Sequence, residues 1–250
     1  MQLIDAHAHL AAPDFAGDLP AVLTRAAAAG IRHIVAVGET LTDAERILAL
    51  ASEHALIRPA AGLYPTIMDR DAATEMRAFI RNNAESLVAI GEVGLDHWAV
   101  EEQDWPLQEE ILAGFVTLAN ELDLVLNVHS RSAGRATIEL LKAHDARRVL
   151  LHAFDGKAST ALEGIEAGFF FSIPPSVVRS PQKQKLVRRL PLDRLLIEAD
   201  APVLGPRPDE RNEPANARLA CEAIAALKGC SPAQVAEVTT ANALRLFPRL

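Results

Sequence analysis

Two histidines stand one residue apart near the start of the chain, in the stretch LIDAHAHL at residues 3–10. Side chains alternate across an extended strand with a period of two, so the rings of His7 and His9 are expected to point to the same face. Such a pair is well suited to clamping a metal ion between two imidazoles. The residues elsewhere in the chain that carry the same chemistry are Glu92, His129, His152 and Asp200.

Each of these residues also has an ordinary structural explanation. A single histidine at the end of a strand is commonly a hydrogen-bonded core residue, and a single carboxylate there is commonly a helix N-cap. The set as a whole favours a metal site, because imidazole and carboxylate together suit zinc, manganese or iron. Six ligands exceed the need of one tetrahedral ion with an open position, but suffice for two ions that share Glu92.

Some barrel hydrolases hold two ions with a carboxylated lysine at the end of strand four. Glu92 occupies that place here. All lysines of the chain fall in predicted helices or loops, and they are Lys142, Lys157, Lys183, Lys185 and Lys228. We therefore predict a site without a carboxylated lysine.

Strand-like and helical segments alternate along the whole chain. The predicted strands cover residues 2–5, 32–37, 57–61, 87–91, 124–128, 148–152, 168–172 and 194–198. They are continuous apolar runs, as expected of parallel strands covered by helices, and amphipathic Ala- and Leu-rich segments separate them. Eight such units in about 250 residues predict a (β/α)8 TIM-type barrel of the α/β class.

A doubly wound sheet is the alternative fold, but it would more often have fewer strands and a glycine-rich first turn, which DAHAHLAAP lacks. In a barrel, the carboxyl ends of the strands line the active site, and the six candidate ligands all follow predicted strands. The proline-rich stretch 201–214 is predicted to be a long loop at the active site, followed by helices near 214–228 and 232–246. We expect one domain over residues 1–250.

Composition limits the possible partners. The chain is 50% hydrophobic and 23% charged, which allows a large core, and its formal net charge is -8 with a pI near 5.5. This balance argues against broad electrostatic wrapping of duplex nucleic acid. A small metal-centred nucleic-acid site is compatible with it, because bound divalent cations can reverse the field inside one cleft.

Cysteine content and hydropathy indicate a cytoplasmic protein. Cys221 and Cys230 have no C-x-x-C spacing, so neither a disulfide framework nor a zinc knuckle is expected. No apolar run approaches the roughly 20 residues of a membrane span, and His7 lies too close to Met1 for a cleavable signal peptide to precede it. We expect no membrane association and no obligate protein partner.

Seven short motifs carry a resemblance to a known family. They are DAHAHL, IGEVGLD, VHSRSAG, LHAFDG, EADAPVLGP, RNEP and TTANALRLF. In this order they resemble TatD-like metal-dependent deoxyribonucleases over essentially the entire chain. The chain is most similar to the short subgroup named TatD domain-containing protein three, through LNVHSRSAGR, LLHAFDG, FFSIPPS and QKQKLV.

The resemblance implies two divalent ions, which could be zinc, manganese or magnesium. It assigns one ion to His7, His9, Glu92 and Asp200, and the other to Glu92, His129 and His152. It implies hydrolysis of nucleic-acid phosphodiesters by a metal-bridging hydroxide, commonly from the 3′ end of single-stranded DNA or short oligonucleotides. Asp200 is then the candidate to orient the attacking water and accept its proton, with Glu92 as the other catalytic residue.

Four further residues are candidate substrate contacts. Arg131 and Arg211 could hold phosphate oxygens, although a surface or loop salt bridge explains either arginine equally well. Tyr64, in GLYP, stands where the family usually has a histidine facing the substrate, and it can donate one hydrogen bond but carries no positive charge. Trp98 could stack on a base or could simply pack against the protein.

Two other functions remain open at this point. An amide or ester hydrolase could use the same activated water, and a non-catalytic scaffold could keep the fold. Phosphate chemistry predicts that Arg131, Arg211 or Lys157 points into the cleft, whereas amide chemistry predicts an apolar pocket. The scaffold is the least favoured of the three, because all six candidate ligands are intact.

Overall fold

Eight parallel strands form one sheet in the order β1 to β8, in the computed structural model, which describes residues 1–250. The strands are β1 Leu3–Ala8, β2 Ile31–Ala36, β3 Ile57–Ala61, β4 Ala89–Gly94, β5 Val125–His129, β6 Val149–Leu151, β7 Phe170–Ile173 and β8 Leu195–Ile197. The amide of Asp200 donates to the carbonyl of His7 at 2.9 Å and thereby joins the end of β8 to β1. The predicted TIM-type barrel is confirmed.

Helices follow the strands and cover the outside of the barrel. They are α1 Leu19–Ala28, α2 Leu41–Glu53, α3 Arg70–Asn82, α4 Trp105–Leu122, α5 Gly134–Ala143, α6 Ala158–Glu166, α7 Pro181–Arg189, α8 Ala217–Lys228 and α9 Pro232–Leu246. None of the nine combines the length and apolar character that crossing a membrane requires. Thr40 and Ser231 form capping boxes at α2 and α9, and Asp69 caps α3 through its side chain.

The apolar core has two parts. The larger cluster, of 58 buried residues, fills the space between the sheet and the surrounding helices. The smaller one, of 14 residues, includes strand residues such as Ile4, Ala89 and Leu196 together with Leu246 and Phe247 from the end of the chain. This cluster therefore packs the barrel strands against the end of α9.

Two boundaries differ from the sequence-based prediction in a way that concerns the site. β1 continues to Ala8 and β4 to Gly94, although both predicted strands stopped earlier. The reason is that His7 and Glu92 are buried polar residues inside strands, and such residues interrupt the apolar pattern from which strands are predicted. His7 and Glu92 therefore lie within strands, at points where the pairing register shifts, between Asp5 and Ala8 on β1 and between Ile90 and Val93 on β4.

The segment between β8 and α8 has no long regular element, and Asn212 holds together its first part. Asn212 donates from Nδ2 to the carbonyls of Ala199 and Val203 at 2.6 and 2.7 Å, and its own amide donates to the carbonyl of Pro202 at 2.9 Å. Pro202, Val203 and Leu204 consequently lie against the central cavity. This is the loop that the sequence predicted over residues 201–214.

Candidate metal centre

His7 and His9 meet at the carboxyl end of β1. Their Nε2 atoms lie 3.2 Å apart, so both rings point toward one spot, as their spacing predicts. The His7 side chain is completely buried, whereas His9, just beyond the strand, keeps 13% of its side-chain surface exposed. The pair therefore faces the barrel interior from its edge.

Glu92 is the centre of the cluster. Its Oε1 lies 2.7 Å from Nδ1 of His129 and 2.8 Å from Nε2 of His152. Its Oε2 lies 3.7 Å from Nε2 of His7 and 3.4 Å from Nε2 of His9, and it has no hydrogen-bond partner. Glu92 thus stands between two pairs of histidines, one on each oxygen.

The backbone of β3 approaches Glu92 closely. A Cβ atom at Gly62 would overlap with the backbone of Gly91 and Glu92. The glycine after β3 is therefore required by the close packing of the strand that carries the central carboxylate.

Asp200 joins the same cluster from the end of β8. Its Oδ1 lies 3.6 Å from Nε2 of His7 and 3.4 Å from Nε2 of His9. The neighbouring amide of Ala199 donates to Oδ1 of Asp5 at 2.7 Å, which ties β8 to β1 behind the site. This bond and the pairing of Asp200 with the His7 carbonyl fix the relative positions of the first and last strands.

The potential ligand atoms fall into overlapping groups within 4.8 Å of one another. These groups are His7, Glu92 and His152; His7, His9 and Asp200; and His9, Glu39 and Glu92. They contain five of the six predicted ligands and add Glu39, which follows β2. His129 is outside these groups; its Nδ1 faces Glu92, and its Nε2 lies 3.0 Å from Oδ2 of Asp96. It is joined to the cluster through Glu92.

The tautomer of His7 fits a metal ligand. The amide of Asn127 donates from Nδ2 to the carbonyl of Ala6 at 2.9 Å, so its Oδ1 faces Nδ1 of His7, at 2.9 Å, as an acceptor. His7 must then carry its proton on Nδ1 and present the lone pair of Nε2 to the cluster. A polar neighbour that fixes the ring in this way is typical of metal-binding histidines.

The electrostatics of the cluster also fit a bound cation. Burial and the charge of His152 lower the pKa of His7 to about 3, so its ring is neutral. Burial opposes the charged form of His9 as well, but its hydrogen bond to Asp200 and the charge of Glu92 raise its pKa to about 9. Burial likewise disfavours charge on His129, yet Asp96 and Glu92 raise its pKa to about 10. The carboxylates thus stabilise positive charge at this place.

A second layer of polar groups supports His152 and the end of β6. Glu198 accepts from the amide of Ala153 at 2.9 Å and from Oγ of Ser172 at 2.5 Å. Burial raises the pKa of Glu198 to about 7. The Nδ1 atom of His152 lies 3.9 Å from Glu198 and has no hydrogen-bond partner. Since Nε2 is the atom of His152 that faces Glu92, Nδ1 is turned toward Glu198 and is not the atom that would bind an ion.

The cluster forms the floor of a cavity of about 580 Å³, a volume typical of ligand sites. Tyr64 and Arg131, two of the predicted substrate contacts, line this cavity. The ring of Tyr64 packs edge-on against His129, and burial raises the pKa of its hydroxyl, which stays protonated. Ala11, Val203 and Leu204 are part of an apolar section of the wall.

Trp98 contacts Arg131, a residue of the cavity wall, but does not itself line the cavity. The guanidinium of Arg131 lies 3.7 Å from the centre of the Trp98 ring, within the range of a cation–π interaction. Trp98 itself is 67% exposed and does not line the cavity. It is therefore not a buried packing residue, and its observed contact is with Arg131.

The structure places Arg211 away from the cavity. Its guanidinium donates to both carboxylate oxygens of Asp18 at 2.8 and 2.7 Å and to the carbonyl of Asp14. This corrects the expectation that Arg211 faces a phosphate, because a two-point partner at the start of α1 engages the planar fork instead. Lys157 also lies outside the cavity lining, at the residue before α6.

Sequence analysis overlooked several residues that the structure brings to the site. Glu39 and Asp96 were detectable by the rule already applied, since each follows a strand. Asn127 and Asp5 lie inside strands and act on His7 and on the β1–β8 junction, contacts that only the closed barrel defines. Lys183 lines the cavity from α7, although Lys157 was the only lysine predicted as a possible phosphate contact.

A TIM-type barrel with histidines and carboxylates grouped at the carboxyl ends of its strands defines a class, the metal-dependent hydrolases of barrel fold. Within it, the model of the TatD related DNase family matches residues 4–248. The chain belongs to this family and is a TatD-type hydrolase.

Individual relatives agree with this assignment. Deoxyribonuclease TATDN3 of Homo sapiens is 46% identical and covers 99% of this chain and 95% of its own length. The uncharacterized metal-dependent hydrolase YabD of Bacillus subtilis is 36% identical over 98% of both chains. The higher identity to TATDN3 supports the predicted subgroup.

The fold agrees with a solved structure from Escherichia coli k12. The TatD homologue YJJV superposes with a TM-score of 0.92 at 28% sequence identity, covering 98% of each chain. The arrangement of the barrel is therefore that of a known TatD homologue.

Proposed function

We propose that this protein is a divalent-metal-dependent phosphodiesterase that shortens single-stranded DNA or short oligonucleotides from the 3′ end. Family membership and the name of the human relative support nucleic acid as the substrate class. The observation that carries the proposal is the position of Glu92 between two pairs of histidines, at the floor of a cavity whose wall holds Arg131.

The residues present fit two divalent ions. His7, His9, Glu92 and Asp200 would hold one ion, and Glu92, His129 and His152 would hold the other. When bound, such ions supply a water molecule of lowered pKa and neutralise charge on the oxygens of the reacting phosphate. The buried Oε2 of Glu92, which has no hydrogen-bond partner, and the fixed tautomer of His7 support the first of these ions. The contacts of Glu92 Oε1 with His129 and His152 support the second.

Asp200 is the residue we propose as proton acceptor. Its Oδ1 faces the histidine pair at 3.4 to 3.6 Å, and the backbone bond between its amide and the His7 carbonyl fixes its position. Burial alone would raise the pKa of Asp200, but its hydrogen bond to His9 and the surrounding histidines lower it. The side chain is thus ionised and can orient a water molecule and accept its proton.

Arg131 and Tyr64 are the proposed substrate contacts on the wall. Arg131 has no carboxylate partner, so its fork is available to a phosphate, while the ring of Trp98 limits its freedom. The protonated hydroxyl of Tyr64 can donate one hydrogen bond to the substrate. Where a cationic histidine is expected of the family, this chain has a neutral donor, the hydroxyl of Tyr64. The positive charge comes from a separate residue, Arg131.

The apolar wall section keeps an amide or ester hydrolase as the second candidate function. Ala11, Val203 and Leu204 could receive the side chain of a small neutral substrate. The same surface suits a nucleobase, which also presents an apolar face. Glu39, Asp43 and Asp155 line the same cavity, so the case for an anionic substrate rests on Arg131 and Lys183 together with the proposed metal ions.

The direct test uses single-stranded DNA labelled at either end. Protein stripped of metal is supplied with magnesium, manganese or zinc in turn, and a small neutral ester is tested in parallel. We expect metal-dependent shortening from the 3′ end, with little ester cleavage. Absence of DNA cleavage by metal-loaded protein, with turnover of the ester, would contradict the proposal and favour the second candidate.

A further inference from the structure

Lys183 is a buried lysine on the wall of the cavity. It lies in the first turn of α7, is 7% exposed, and lines the cavity together with Arg131 and Asp200. Its Nζ donates to the carbonyl of Ala153 at 2.8 Å, and this is its side chain's only hydrogen bond. No carboxylate lies within 4.0 Å of it, so the ammonium group is buried without an ion-pair partner.

The position of Lys183 follows from the pattern of α7. Lys183, Leu186, Val187 and Leu190 stand at the spacing i, i+3, i+4 and i+7, which forms one face of a helix. All four are buried, whereas Lys185 points to solvent. The chain therefore places a lysine where an apolar residue would complete the buried face.

The start of α7 is held firmly, so the ammonium group has a defined place. Ser180 accepts at Oγ from the amide of Lys183 at 3.3 Å. Gln182 donates from Nε2 to the carbonyl of Gly156 at 2.8 Å, which joins α7 to the loop after β6. These contacts aim Lys183 at the same end of β6 that carries His152.

A buried ammonium group with a single hydrogen bond is unfavourable for folding alone. Removal from water opposes its charge and lowers its pKa, while the charges of Glu198, Asp200 and Asp155 partly offset this effect. None of these carboxylates is close enough to form a salt bridge. An anion entering the cavity would supply the missing partner and would meet two hydrogens of Nζ that the protein leaves free.

We propose that Lys183 is a further substrate-contacting residue, which donates from Nζ to a phosphate oxygen of the bound nucleic acid. The inference rests on the proposed function, because it takes the anion to be a phosphodiester. A compact ammonium group can contact tetrahedral phosphate oxygens from several directions, whereas the planar fork of Arg131 requires a two-point approach. Lys183 and Arg131 would thus both bind phosphate oxygens, but from different directions and with different numbers of hydrogen bonds.

A purely structural role makes the opposite prediction about stability. If Lys183 served only to hold the Ala153 carbonyl at the end of β6, then Lys183→Met would lower the melting temperature. If it serves the substrate, replacing the buried cation by an apolar residue of similar length leaves the melting temperature unchanged or raises it. The two roles can therefore be separated in protein that has no ligand bound.

The experiment compares Lys183→Met with Lys185→Met, which removes an exposed charge from the same helix. Binding of inorganic phosphate to manganese-loaded protein is measured by calorimetry, and KM and kcat are measured on a labelled single-stranded oligonucleotide. For Lys183→Met we expect phosphate affinity to fall about tenfold and KM to rise about tenfold, with an unchanged or higher melting temperature. Lys185→Met should match the wild type in every measurement.

The inference is overturned if Lys183→Met binds phosphate as the wild type does, or if its affinity falls only together with its melting temperature. Its failure is distinguishable from failure of the proposed function. DNA cleavage with unchanged kinetics in Lys183→Met would remove Lys183 from the site and leave the nuclease intact. The opposite result is phosphate binding that depends on Lys183 in a protein that cleaves no DNA. It would support Lys183 as an anion-binding residue and would contradict the proposed nuclease function.

Discussion

Among single residues, Asp200 is the proposed proton acceptor and Asp209 is its matched control. Both lie in the segment after β8, but only Asp200 is buried against the histidines, while Asp209 is exposed. Asp200→Asn keeps a potential ligand oxygen and removes the proton acceptor. We expect kcat to fall by about 10² to 10⁴ with fold and metal content retained, and Asp209→Asn to be unchanged. Turnover on the oligonucleotide checks this, and a kcat within a few-fold of wild type would refute Asp200 as the base.

Arg131 is the residue that should distinguish a phosphate from a neutral substrate. Arg131→Ala removes a charged donor from the cavity wall, so KM for the oligonucleotide should rise about tenfold while KM for a neutral ester changes little. Arg135→Ala is the matched control, because Arg135 is exposed on α5 and pairs with Glu139 and Glu163. Equal effects of Arg131→Ala on both substrates would count against phosphate recognition.

At the scale of elements, β5 acts on β1 through Asn127. The side chain of Asn127 is fully buried and bonds both to Nδ1 of His7 and to the carbonyl of Ala6. Asn127→Ala leaves every candidate ligand in place but frees the His7 ring to change its orientation and tautomer. We expect metal affinity to fall about 10- to 100-fold, measured by competition with a chelator. Asn127→Asp, which keeps an acceptor beside Nδ1, should lose less than Asn127→Ala, and equal losses would refute the orienting role.

The order of the elements was predictable because each unit carries its own local signals. The eight apolar runs and the amphipathic segments between them define strands and helices without reference to the rest of the chain. Because the carboxyl ends of barrel strands line one site, the positions of the predicted strand ends indicated which polar residues lie close together. His7 and Glu92 were placed at the site although their strands were predicted too short, because a shift of a few residues leaves them at the same end of the barrel.

What could not be predicted depends on contacts between distant segments. Arg211 is captured by Asp18, which is far away in sequence, so its motif alone did not reveal where its guanidinium points. Lys183 carried a local signal, a lysine on the apolar face of α7, but only the packed barrel shows that its ammonium group reaches the cavity. Trp98 could be placed near the rim, yet its stacking on Arg131 is a result of the folded geometry.

At the scale of the whole molecule, the buried carboxylates should make stability depend on metal. Glu92 and Asp200 are at most 4% exposed; burial opposes their charge, but the neighbouring histidines lower the pKa of both, so both are ionised. Like charges at such sites oppose folding unless cations compensate them. At free metal of about 1,000 times Kd, binding adds about 4 kcal/mol to the free energy of unfolding. For a chain of this size, that is a rise in melting temperature of about 8–16 °C.

Thermal scans of metal-free and reloaded protein measure this difference. Glu92→Gln is the control, because it should lose the candidate centre and with it the response to metal. A melting temperature that is the same with and without metal would show that the cluster is stabilised by its own protons and hydrogen bonds.

Glu92 is the one carboxylate that both proposed metal ions share. Elemental analysis of purified wild type and Glu92→Ala tests this sharing, with circular dichroism to confirm that both proteins are folded. We expect two ions per chain in the wild type and almost none in the variant, because every proposed ion loses a ligand. A variant that keeps one or both ions would contradict the shared-ligand centre.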